Sequence, residues 1–122
     1  MTSSLVIDEI LFKILVQEAA AHLQKPTIWN IKRAMKQKAF AKKVYGPVLE
    51  YKNYLESLAF LGMGIVEVTG AHLLMAADVG AAVGLLITDA AHIAVMRERG
   101  IGYLATADAD LFDIEGIAVW AP

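Results

Sequence analysis

The chain has 122 residues, 57% of them hydrophobic, which suits one domain over residues 1–122 with ample material for a core. Charged residues make up only 20%, excluding a disordered tail, and a net charge of −2 gives no global pull towards nucleic acid. The lack of cysteine removes disulfides, thiolate zinc sites and cysteine nucleophiles together, so any metal must be held by oxygen or imidazole.

Asp8 and Glu9 lie where a signal peptide would be basic and then apolar, so none is expected. The longest apolar run, residues 71–87, is interrupted by His72 and Asp78 and is too short for a membrane span. A soluble, cytoplasmic protein without membrane contact is the expectation.

Ser3 and Ser4 precede Ile7, Ile10, Leu11, Ile14, Leu15, Glu18 and Ala19, a helical spacing with a serine placed to cap the first turn. This predicts a helix to about residue 22, ended ahead of Pro26. A second helix is predicted over 27–43 and a third over 48–61, separated by Gly46-Pro47 and stopped by Gly62 and Gly64. Residues 65–69, Ile-Val-Glu-Val-Thr, alternate and are β-branched, which predicts a strand. The alanine-rich run 70–83 predicts a fourth helix. Thr88 and Asp89 open a fifth, running to about residue 99, with Arg97 and Arg99 in its last turn and Gly100 closing it. Short strands over 102–107 and 117–121 flank an acidic loop. Helices alternating with strands favour a parallel sheet faced by helices, yet the first half reads as all helix, with no strand ahead of the first one.

Four features could carry chemistry. In Ala105-Thr106-Ala107-Asp108-Ala109-Asp110-Leu111-Phe112 an apolar strand ends and acids follow at once, where parallel α/β sheets bind ligands. Asp113 and Glu115 extend the acidic stretch. A solvated turn accounts for the same residues, because aspartate bonds locally to turn backbone. A calcium loop does not fit: Phe112 and Asp113 break its pattern, and Val119 stands where the terminal glutamate belongs. Asp89 falls in the first turn of its helix, where the dipole alone favours a carboxylate. His92, one turn on, reads as a packed side chain outside the catalytic set. Glu9 sits among Val6, Ile7, Ile10 and Leu11. It is either partly buried and in need of a partner or metal, or on the solvated face with Lys13. Finally, Lys25, Lys32, Arg33, Lys36, Lys38, Lys42, Lys43 and Lys52 are eight of the eleven basic residues, and no acid occurs between Glu18 and Glu50. Such a face suits phosphates, with Lys32, Arg33 and Lys36 as nucleic-acid contacts and Trp29 and Tyr45 as stacking groups. A merely solvated basic face, with Trp29 in a core, is the plainer alternative.

Together these segments resemble the PIN domain family, the fold of many toxin ribonucleases of toxin–antitoxin pairs. The strongest match runs from Leu85 to Pro122: an acid opening a helix in Thr88-Asp89-Ala90-Ala91-His92, a glycine-capped turn, then Thr106-Ala107-Asp108-Ala109-Asp110 and a short final strand. Ser3-Ser4-Leu5-Val6-Ile7-Asp8-Glu9 looks like the family's second motif, in which a helix presents its glutamate. The resemblance implies a three-layer α/β/α fold with a short parallel sheet. It also implies a catalytic and metal-binding set of Glu9, Asp89 and Asp108, with Asp110 and Thr106 as auxiliaries. Clustered carboxylates are stable as anions around a cation, and Mg²⁺ or Mn²⁺ suits such oxygen ligands. RNA is the implied substrate and an antitoxin the implied protein partner. Family members usually begin with a strand ending in aspartate, which this sequence lacks. It therefore reads as N-terminally shortened, with the gap repaired by homo-oligomerisation or rearranged packing, or with an upstream start codon. The alternative function is a PIN-like remnant that binds RNA or assembles without catalysis.

Overall fold

The computed structural model describes residues 1–122, and the chain divides into two compact units, Met1–Glu67 and Val68–Pro122. The first unit runs β1 (Thr2–Ser3), α1 (Ser4–Ala21), α2 (Ile28–Met35), α3 (Lys38–Val44), α4 (Gly46–Phe60) and β2 (Ile65–Val66). A strand does precede the first helix, contrary to the sequence-based expectation. It is two residues long, too short to show the alternation by which a strand is read. It pairs in parallel with β2, Thr2 with Ile65 and Ser3 with Val66, across a crossover of four helices.

Ser3 then caps α1 as expected, its Oγ accepting the Val6 N–H at 3.2 Å. The helix predicted over 27–43 is two helices, parted at Lys36 and Gln37, where Gln37 is extended. The apolar positions explain the break. Ile31 and Met35 in α2 and Phe40 and Val44 in α3 all join the core around Ala19. The step from 35 to 40 is five residues, which in an unbroken helix would turn Phe40 roughly 140° away from Met35. Breaking the helix returns both pairs to the same core. Pro47 lies in the first turn of α4, where its missing N–H costs nothing.

The second unit runs α5 (Gly70–Val83), α6 (Ile87–Arg99), β3 (Tyr103–Ala105), a short 3₁₀ turn (Ala109–Leu111) and β4 (Ala118–Trp120). Thr69 caps α5 in a reciprocal box with His72: the Thr69 hydroxyl accepts the His72 N–H, and His72 Nδ1 accepts the Thr69 N–H at 2.9 Å. Gly84 and Gly100 end the two helices in left-handed conformations, φ 78° and 65°. α5 and α6 pack through small residues, with Ala76, Ala90, Ala91, Ala94 and Ile93 fully buried. β3 and β4 pair in parallel from Tyr103–Ala118 to Ala105–Trp120. The apolar run 71–87 lies in α5 and the turn after it, with only Ile87 in α6; the two helices meet at 104°, and no single helix is long and apolar enough to cross a membrane.

Candidate metal centre

Three carboxylates converge in the second unit. Asp89, Asp108 and Asp110 each contribute one oxygen to a group whose members all lie within 4.8 Å of one another. Their positions follow from local structure. Asp89 is half-buried in the first turn of α6, whose N-cap, Leu86, has no side chain able to cap it. An acid in that turn faces the positive end of the helix dipole. Asp108 follows β3 closely. The ladder extends one bond past that strand, Thr106 N–H donating to the Trp120 carbonyl at 3.1 Å. The Asp108 N–H then donates to Thr106 Oγ1 at 3.1 Å, and Asp108 Oδ1 accepts the Asp110 N–H at 3.0 Å. Leu111 and Ile114, both buried, anchor the loop that carries the two exposed acids.

Asp108 thus performs the turn chemistry of the plainer sequence reading. The cap engages its Oδ1, and a carboxylate has capacity for further partners on its other oxygen. Turn and cluster are therefore compatible.

The donor set suits a hard divalent cation. All three ligand groups are carboxylates, and the chain has no thiolate to favour a softer metal. Two oxygens sharing one Mg²⁺ stand at most about 4.2 Å apart, given metal–oxygen distances near 2.1 Å. Cis ligands of an octahedral ion stand about 3.0 Å apart, so side-chain movements on the order of an ångström would close the group around such an ion.

The remaining expected residues fall elsewhere. Glu9 is exposed on α1, in the first unit, so the partly buried reading of that residue does not hold. The flanking apolar residues are themselves only half-buried there, which leaves room for a solvated carboxylate. Lys32, Arg33 and Lys36 are exposed along and just after α2, and the Lys32 Nζ lies 5.6 Å from the centre of the Trp29 ring. Trp29 is 73% exposed rather than in a core. His92 is half-buried on α6.

One residue escaped the sequence reading. His72 is only 3% exposed, and its Nε2 lies 2.8 Å from Glu98 Oε2, tying the start of α5 to the end of α6. Because Nδ1 accepts the Thr69 N–H, Nε2 carries the proton and donates to Glu98. The signal was present as Thr69 followed three residues later by a polar side chain, although capping boxes usually place Glu or Gln there. A hollow of about 580 Å³ beside the end of α4 is lined by Asn53, Glu56, Ser57, Phe60 and Leu61. Its one carboxylate, Glu56, pairs with Lys52 at 3.0 Å, so it offers no comparable ligand set.

A family model described as the PIN domain matches residues 1–117. Searches of curated proteins and of solved structures give no match.

Proposed function

The chain belongs to the PIN domain family, a nuclease-type superfamily generally dependent on divalent metal, and from that premise we propose that it is a metal-dependent ribonuclease. Its mostly helical architecture with short parallel strands is that of a PIN-like α/β fold, proposed to act as one domain across both units. The observation that carries the reading is the grouping of Asp89, Asp108 and Asp110 within 4.8 Å. In this reading the three carboxylates hold Mg²⁺ or Mn²⁺. A bound divalent ion supplies charge neutralisation and water activation for phosphodiester hydrolysis. The Asp110 N–H fixes the Asp108 carboxylate, and the Thr106 hydroxyl, which accepts from Asp108 N–H, keeps its own proton to donate to a phosphate or water. Glu9 is proposed as a further catalytic acid on the strength of the family motif.

The test is cleavage of labelled single-stranded RNA with Mn²⁺, beside Asp108→Asn and a chelator. Activity is expected to vanish in both controls. Cleavage that survives either one contradicts the reading, and no cleavage by the parent protein points to a PIN scaffold that binds RNA or assembles without catalysis. We further propose that the chain is a cytoplasmic toxin held in check by an antitoxin. Inducing the parent protein should then arrest growth, and inducing Asp108→Asn should not.

Self-association is part of the same proposal. Each unit has a sheet of only two strands, whose outer edges present unpaired backbone groups. α5 also exposes Leu73, Leu74 and Met75, and Leu86 beside it is 81% exposed. Sedimentation velocity should show a dimer or larger species; a monodisperse monomer would refute it.

A further inference from the structure

We propose that the outer face of α2 docks single-stranded RNA, with Trp29 as a base-stacking platform and Lys32, Arg33 and Lys36 as phosphate contacts. The choice of RNA rests on the ribonuclease reading; the surface itself rests on four observations. The four residues stand at i, i+3, i+4 and i+7, one stripe of a helix, and all four are exposed, while Ile31 and Met35 turn to the core. The stripe has no competing anion: no acid occurs over residues 19–49, and none of its three cations is paired with a carboxylate. Trp29 keeps 73% of its surface exposed, and Lys32 places a cation 5.6 Å from its ring. Its backbone is fixed by the next residue: the Asn30 N–H donates to Thr27 Oγ1 at 3.2 Å, and the Asn30 amide donates to the Lys25 carbonyl at 2.9 Å.

A solvated basic face explains the lysines but not an indole left in water among them. Stacking on an aromatic ring requires a base that is not already stacked, which selects single strands over duplex. An acidic polypeptide would satisfy the cations and leave the ring face unused.

The experiment is fluorescence anisotropy of a labelled oligouridine with the full chain in EDTA, so that neither metal nor cleavage intervenes. Trp29→Ala should weaken binding by about 5- to 150-fold, the equivalent of one stacked base, with Trp29→Phe recovering much of the loss. The triple variant Lys32→Ala, Arg33→Ala, Lys36→Ala should flatten the slope of log affinity against log salt by about 2, for three single-strand phosphate contacts. Circular dichroism confirms that each variant is folded. The proposal is overturned if the parent protein does not bind, or if Trp29→Ala binds like the parent. Equal binding of duplex RNA or DNA of the same sequence, or equal competition by polyglutamate, also overturns it. Loss of cleavage with this binding intact removes the nuclease reading alone; loss of this binding with cleavage intact removes the docking face alone.

Discussion

The two units of this chain differ most in charge. Residues 1–67 carry nine lysines and arginines against six acids, a net of +3, whereas residues 68–122 carry two against seven, a net of −5. The overall −2 hides both. Whole-chain charge is therefore a poor guide to whether a protein meets a polyanion, and its distribution along the fold is a better one. The units also differ in how they pack. The first closes a modest core around Ala19, Ile31 and Val44 and leaves a cationic, aromatic helix face outside. The second presses two helices together through alanine and glycine and gathers three of its seven acids, Asp89, Asp108 and Asp110, into one cluster.

In the proposed reading, phosphate contacts fall in one unit and metal in the other, and crossed variants can break that division. The largest effect is expected from Asp108→Asn. Losing a direct ligand should lower cleavage by more than the roughly 10- to 100-fold typical of an outer-shell partner, with oligouridine binding in EDTA unchanged. The α2 triple variant should do the converse, raising KM and weakening binding while Mn²⁺ affinity stays the same. A metal affinity that falls with the lysines, or an RNA affinity in EDTA that falls with Asp108, would erase the division. A smaller effect sharpens the packing contrast. A Cβ at Gly80 would lie 2.9 Å from the Leu85 carbonyl oxygen and 3.4 Å from the Ala90 Cβ. Gly80→Ala should therefore lower stability in urea unfolding by about 1–3 kcal/mol, despite the roughly 1 kcal/mol by which alanine favours a helix. A stabilised variant would show that α5 and α6 have room for a methyl group between them at Gly80.

Much of this was legible in the residues. Ser3 before α1, Gly100 after α6 and the glycine-bounded alanine run of α5 all carry local signals that tertiary contacts do not overrule. The family motifs name Asp89, Asp108 and Asp110 among the expected acids, and the structure brings these three within 4.8 Å of one another. What the sequence could not show is that Asp110, expected as an auxiliary, lies within the same 4.8 Å of Asp89 and Asp108 as they do of each other. Its place depends on a 3₁₀ turn of three residues, and that turn is fixed by the Asp108 cap and by the burial of Leu111, not by any periodic pattern. The strands were overextended for the same reason. Two or three residues are too few to show alternation, and β-branched neighbours lengthen the apparent strand, including Thr69, which caps a helix instead. The break between α2 and α3 has neither glycine nor proline to announce it; only the five-residue step between Met35 and Phe40 does.

Binding of Mn²⁺ to the parent protein and to the double variant Asp108→Asn, Asp110→Asn, by calorimetry with a parallel thermal melt, tests the metal centre most directly. The parent should bind Mn²⁺ and gain about 2.7 kcal/mol of stability at a hundredfold excess over Kd, and the double variant should show neither effect. No binding by the parent, or equal binding by the two proteins, would contradict the assignment of this acidic cluster as a metal site.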